Sequence, residues 1–177
     1  MKKVLAICGS ISNTSANYAL LKTIHSMAKD QFEIDIYDGL SSLPYFEPNP
    51  ENENIHASVV EFRNKIREAD GILICTPEYV FSLPGILKNA LEWTVSTTVF
   101  TDKPASLITA SSSGKVAHES LLLVMKTLGV KTTDKTCLHI QSIKSKMTKE
   151  GDIVDNATVE HLGQLIDALR ILMNGRN

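Results

Sequence analysis

Three short segments gather the side chains that could do chemistry. The first is Gly9-Ser10-Ile11-Ser12-Asn13-Thr14-Ser15-Ala16-Asn17, which follows the apolar run Val4 to Cys8. Hydroxyls and amides beside the free N–H groups of a helix start form a site for a phosphate. The same residues also suit a turn that simply caps the helix, and the loop alone leaves both readings open. It is not a phosphate loop of the Gly-Lys-Ser/Thr type and has no GxGxxG, so ATP-dependent phosphoryl transfer is disfavoured. The second segment is Thr76-Pro77-Glu78-Tyr79-Val80-Phe81-Ser82-Leu83-Pro84-Gly85. Two prolines stiffen it, so it can hold backbone N–H groups and an aromatic ring against a flat ligand without ordering on binding. The alternative is a rigid connection whose Tyr79 and Phe81 pack on the domain's own core. Glu78 is a single carboxylate in a proline-rich loop, and no proton transfer is assigned to it. The third segment, Ser111-Ser112-Ser113-Gly114, ends another apolar run. Next to it, His118-Glu119 reads as a surface pair at a helix start, because Leu122 stands where HExxH needs its second histidine. No Ser-His-Asp or Cys-His set can be assembled and GxSxG is absent, so hydrolysis has no support.

The elements that must position these loops alternate regularly. Val4 to Cys8 is an unbroken apolar run, the pattern of a parallel strand buried on both faces; Gly71 to Thr76 reads as a second fully buried strand and Ala105 to Ala110 as another strand. Glu33 to Tyr37 is a shorter alternating strand and Thr136 to Gln141 a fifth. Between them, helical spacing appears at Ala16, Leu20, Ile24 and Met27, with Thr14 or Ser15 as N-cap, and from about Ile55 to Glu68. Pro84-Gly85 opens a helix carrying Leu87, Ala90, Leu91 and Trp93, and another runs through Leu121, Met125 and Leu128. The last helix carries Val159, Leu162, Ile166, Leu169 and Met173 as one buried stripe. Leu43 to Asn54, with three prolines, reads as a long irregular loop. The expectation is an α/β fold over 1–177 as a single domain: a doubly wound, five-stranded parallel sheet with helices on both faces. In such sheets ligands bind at the carboxyl ends of the strands near the topological switch point, where the loops after strands one, three and four lie.

Composition narrows the class. The 177 residues, 43% hydrophobic, suffice for one core and fall short of two ordinary domains. With 18 basic and 20 acidic residues the formal charge is −2, and no basic, aromatic-interleaved surface marks a nucleic-acid binder. Cys8, Cys75 and Cys137 lie in apolar runs without CxxC spacing and read as buried free thiols. The apolar run after Met1-Lys2-Lys3 is too short for a signal peptide, and no run approaches the roughly 20 residues of a membrane span. A cytoplasmic setting without membrane contact is expected.

The loops resemble those of the NADPH-dependent FMN reductases, a flavodoxin-like family that includes quinone, chromate and azo-dye reductases. Members show Gly-Ser-x-Arg-x-x-Ser-x-Asn after the first strand, matched in spacing by Gly9, Ser10, Ser15 and Asn17. They also show Pro-Glu-Tyr-Asn-x-Ser-x-Pro-Gly-x-Leu-Lys-Asn-Ala-x-x-Trp, and here Pro77, Glu78, Tyr79, Ser82, Pro84, Gly85, Leu87, Lys88, Asn89, Ala90 and Trp93 fall in register. The resemblance implies that Gly9, Ser10, Ser12, Ser15, Ala16 and Asn17 cradle the FMN phosphate. It further implies that backbone from Pro77 through Glu78 and Tyr79 to Val80 meets the isoalloxazine ring, and that Ser111, Ser112, Ser113 and Gly114 close its other edge.

By the same resemblance NADPH or NADH delivers hydride to the flavin, which then reduces a small acceptor: a quinone, free flavin, azo dye or metal oxyanion. The cofactor carries the chemistry, so no catalytic side chain is expected, and no metal. A homodimer or a dimer of dimers is implied, with Tyr79, Phe81 and the Leu43 to Asn54 loop facing a partner chain. Three positions depart from the pattern. Ser12 replaces the usual Arg, so phosphate binding leans on N–H groups and hydroxyls and FMN is held more weakly. Val80 replaces the usual Asn, and Gly114-Lys115-Val116 stands where Gly-Gly is common. Lys115 could supply the missing positive charge or lie solvated at its helix start. Two other classes compete with the reductase: a flavodoxin-like electron carrier without NAD(P)H reactivity, and a flavin-free binding module on the same scaffold.

Overall fold

Strands that are apolar on every residue need neighbours on both edges and helices on both faces, and the chain provides both. The computed structural model describes residues 1–48 and 55–175. Five parallel strands, β1 (Lys3–Cys8), β2 (Glu33–Tyr37), β3 (Gly71–Thr76), β4 (Ala105–Ser111) and β5 (Cys137–Gln141), form one sheet in the order β2-β1-β3-β4-β5. The helices between them are α1 (Ala16–Ala28), α2 (Ala57–Glu68), α3 (Gly85–Glu92), α4 (Lys115–Thr127) and α5 (Asn156–Met173). From β1 the chain goes to one side for β2 and to the other for β3, so the switch point lies between β1 and β3.

The strand period of two splits the core. Leu5, Ile7, Ile72, Ile74 and Leu107 face α2, α3 and α4 through Phe62, Leu87, Leu91, Leu121 and Met125. Val4, Ala6, Cys8, Leu73, Cys75 and Ile108 face α1 and α5 through Leu20, Ile24, Leu162, Ile166 and Leu169. Both faces are covered, so strand residues from Val4 to Ile7 and from Ile72 to Cys75 are almost wholly inaccessible. Each Val, Leu or Ile side chain buried there contributes on the order of 1.5–3 kcal/mol.

Several local expectations change. The second helix begins at Ala57, because the His56 ring nitrogen accepts the Ser58 N–H and caps it. Thr136 belongs to a 3-10 turn and β5 starts at Cys137. Cys137 itself is only half-buried, since β5 is an edge strand, whereas Cys8 and Cys75 are buried as free thiols. Burial pushes the Cys75 thiol well up and Cys8 less so. In α5 Val159 is exposed, and the buried stripe is Thr158, Leu162, Leu165, Ile166, Leu169 and Met173. Val159 lies at the flank of that stripe, and Thr158 can be buried instead because Asp155 accepts its hydroxyl at 2.6 Å.

The loop expected over 43–54 is described to Pro48, and the remainder lies outside the described residues. Its first part is pinned to α3. Asn89 Nδ2 and Trp93 Nε1 donate to Pro44 O at 2.9 and 2.8 Å, Phe46 N–H donates to Asn89 Oδ1 at 2.7 Å, and the Phe46 ring meets Trp93 edge-on. Asn89 and Trp93, two residues of the long motif, therefore serve loop anchoring.

Candidate functional site

The loops after β1, β3 and β4 meet at the carboxyl end of the sheet because their parent strands are adjacent. The first loop ends at Ser15, whose Oγ accepts the Tyr18 N–H at 3.1 Å and caps α1, settling Ser15 over Thr14 as N-cap. Ser10 is buried, Ser12 and Thr14 share a hydroxyl contact at 2.9 Å, and Ser15 N–H donates to Ser12 O. Among the described residues the N–H groups of Asn13, Ala16 and Asn17 have no protein acceptor. Unsatisfied N–H groups at a helix start, with four hydroxyls in the same loop, are a donor set that suits a phosphate. No arginine is needed for that fit, and Lys115 is exposed at the first turn of α4.

Asn17 does something the spacing did not reveal. Its side chain is 3% exposed and turned inward. Nδ2 donates to Ala110 O at 3.0 Å and Oδ1 accepts the Cys75 thiol at 3.2 Å. One amide thereby ties α1 to β4 and β3 just below the three loops, and what Asn17 offers the loop is its backbone N–H.

In the second loop Tyr79 N–H donates to Ser82 O and Ser82 N–H to Tyr79 O, both at 3.0 Å. The two residues between them, Val80 and Phe81, have φ of 51° and 54°. This tight turn lifts side chains off the protein: Tyr79, Val80 and Phe81 are 55%, 95% and 73% exposed, so they do not pack on the domain's own core. The left-handed backbone also explains why Asn suits position 80, because a β-branched residue is strained there. Val80→Asn is expected to stabilise the protein by about 1 kcal/mol, read as a higher urea midpoint at unchanged slope.

Glu78 reaches across to the third loop. Its Oε1 accepts the Gly114 N–H at 3.1 Å and Oε2 the Ala117 N–H at 2.9 Å. Gly114 stands at the N-cap of α4 with φ 83° and has no side chain to cap it, so the carboxylate does so from another loop. The Ala117 N–H, helped by those of Gly114 and Val116 and by nearby His139, holds the Glu78 carboxyl below its usual range against an opposing desolvation. A lowered folded-state pKa means that this contribution is complete above the unfolded-chain value and is lost as pH falls through the folded one. Glu78→Ala is therefore expected to cost about 1 kcal/mol near neutral pH. Urea unfolding of the two proteins should converge as the medium is taken below the carboxylate range.

In the third loop Ser111 is the last residue of β4, paired with Gln141, and its buried Oγ has no hydrogen-bond partner among the described residues. Ser112 and Ser113 are exposed, and Ser142 N–H donates to Ser112 O. His118 is not the surface residue its position suggested. It is half-buried, its Nδ1 lies 3.1 Å from Thr109 Oγ1, and its ring stacks on His139. Sequence reading overlooked His139 and the capping by Glu78. The signals available were an imidazole inside an apolar strand and a helix opened by glycine. All the segments singled out by their residue types thus converge at one end of the sheet, around the switch point.

Comparison with known proteins finds likeness along almost the whole chain. Residues 2–144 match the family described as NADPH-dependent FMN reductase. The chain is 33% identical to an NADPH:quinone oxidoreductase of Arabidopsis thaliana, with 95% of this chain and 90% of that one covered. It is 31% identical to an NAD(P)H-dependent FMN reductase of Pseudomonas aeruginosa, covering 96% and 94%. Among solved structures, a flavoenzyme NAD(P)H:(acceptor) oxidoreductase of Paracoccus denitrificans superposes with a TM-score of 0.86 at 24% identity, covering 99% of each chain.

Proposed function

Since the chain belongs to the NADPH-dependent FMN reductase family, oxidoreductases that use FMN with NAD(P)H as electron donor, we propose that its single domain carries FMN across the three convergent loops and reduces a small diffusible acceptor. The observation that carries this reading is the donor set of the first loop, set beside a stiff second loop and a third loop with an orphaned hydroxyl. Ser10, Ser12 and Ser15 and the N–H groups of Asn13, Ala16 and Asn17 bind the phosphate. Gly9 brings that loop close to β3. Backbone from Pro77 to Val80 lies against the isoalloxazine, and Ser111 to Gly114 border its opposite edge. The bound flavin supplies hydride chemistry, accepting from the nicotinamide and giving to the acceptor. The protein orients, and its Glu78 fixes the distance between the two ring loops.

The acceptor classes proposed for a flavin beside the exposed Tyr79, Val80 and Phe81 are quinones, free flavin, azo dyes and metal oxyanions. The same exposed apolar side chains support a homodimer, or a dimer of dimers, with the second subunit beside the flavin. Free Cys8 and Cys75 agree with a reducing, cytoplasmic setting, and among the described residues no helix is long and apolar enough to cross a membrane.

The test is the visible spectrum of the purified protein with added FMN, followed by NADPH without oxygen. Retained flavin bands that bleach with NADPH or NADH are expected. Flavin that stays oxidised would favour an electron carrier, and a protein that ignores excess FMN would favour a flavin-free module.

A further inference from the structure

The loop from Ser111 to Gly114 is fastened from two sides. Glu78 holds Gly114 N–H from the second loop. From β5, the His139 ring lies directly beneath the turn, with Nε2 2.6 Å from Ser113 O. A carbonyl can only accept, so Nε2 carries the hydrogen. A Cβ on Gly114 would stand 2.9 Å from that same nitrogen, so the left-handed turn is shaped around the imidazole. His139 in turn stacks on His118 of α4, ring centroids 5.4 Å apart and planes 16° from parallel. His118 is anchored to Thr109 in the buried strand that leads to the loop. The charged groups facing the pair are Glu119 on the same helix as His118 and Glu78 from the loop after β3.

We propose that His139 is the positioning residue for the loop at the flavin edge, held in orientation by the stacked His118, so that a second proton on the pair drives the rings apart and loosens FMN. The inference rests on the reading that FMN lies against residues 111 to 114. One proton is tolerable, because an imidazole stacks on an imidazolium and Nε2 still donates to Ser113 O. Two positive rings in contact repel in a half-buried place, and the ring that gives way takes the loop's anchor with it. Burial and the neighbouring His139 already push His118 down from its ordinary value, while Glu119 opposes them. That direction disfavours a positive charge on the His118 ring, and acidification works against it.

The experiment is the FMN dissociation constant, from quenching of flavin fluorescence, at about pH 7.5 and about pH 5.5, bracketing ordinary histidine titration. Wild type is compared with His118→Asn, His139→Gln and His139→Ala. The FMN phosphate itself titrates near pH 6, as phosphate monoesters do, equally in all four proteins, so the signal is the difference between them. Wild type should lose roughly tenfold more affinity on acidification than His118→Asn or His139→Gln, the size expected for losing one anchoring hydrogen bond. His139→Gln, which keeps an amide donor, should bind as wild type does at the higher pH, and His139→Ala about tenfold more weakly there. Equal pH slopes in wild type and His118→Asn, or unchanged affinity in His139→Ala, would overturn the proposal while leaving FMN binding intact. Wild type that takes up no FMN at either pH would overturn the underlying reading as well.

Discussion

Replacing Gly9 with alanine is expected to destabilise the protein by about 3 kcal/mol, the upper range for overpacking a filled core, and to strip it of FMN. The added Cβ would stand 2.3 Å from Thr76 Oγ1, 2.7 Å from Thr76 Cβ and 3.2 Å from Leu87 Cδ2. Thr76 is wholly buried and cannot swing away. Its hydroxyl donates to Pro77 O at 3.1 Å, so pushing Thr76 aside displaces the start of the ring loop. Gly9 N–H also donates to Cys75 O at 2.8 Å, linking β1 to β3 where the first loop departs. A single methyl group therefore spreads two of the three loops where they are closest. Urea unfolding of the apo-protein and equilibrium dialysis against FMN measure the two effects separately. An alanine variant with wild-type stability would mean that β1 and β3 are not packed this tightly at their carboxyl ends.

Asn17→Ala is expected to lower stability by about 2 kcal/mol, the cost of leaving buried polar groups unsatisfied, and to weaken FMN as a consequence. The amide joins Ala110 O to the Cys75 thiol across three elements, and alanine replaces neither bond. A residue that served only as a phosphate ligand would behave differently: its loss would reduce FMN affinity and leave the apo-protein as stable as before. Chemical unfolding without flavin discriminates directly. Ser15→Ala offers a contrast, because Ser15 caps the start of α1, where cap removal costs typically about 1 kcal/mol. The double variant should show nearly the sum of the two losses only if the cap and the clamp act independently.

Position 12 bears on affinity in a different way. With serine there, the loop would complement a phosphate through N–H dipoles and hydroxyls, and these act over shorter range than a guanidinium. The conformational demand at position 80 is separate, since it concerns the backbone of the ring loop and not the ligand's charge. Both departures from the family pattern leave the scaffold untouched: the sheet order, the switch point and the loop convergence do not depend on either side chain.

Burial patterns explain why so much of the architecture was legible. Runs such as Val4 to Cys8 and Gly71 to Cys75 lack any polar side chain, the pattern of a central parallel strand, and alternation of such runs with helical periods admits few topologies. The loops after β1 and β3 were readable because their residue types are unusual for connecting segments and their spacing is ordered. Boundaries were less secure where two residues could do the same local work, as with Thr14 and Ser15, or where a polar residue took a buried place with its own partner, as Thr158 did in front of Val159.

Fold class and family could therefore be read from the chain alone, and so could the three segments proposed to hold the flavin, because these rest on local periodicity and on motifs contiguous in the chain. The division of labour inside those segments emerged from the three-dimensional packing. Asn17 turns inward as a clamp, Glu78 caps a helix far along the chain, and His118 stacks on His139 beneath the third loop. Each depends on which groups of distant segments come within about 3 Å, the reach of a hydrogen bond. That distance is set by how the helices pack on the sheet, which no spacing along the chain encodes.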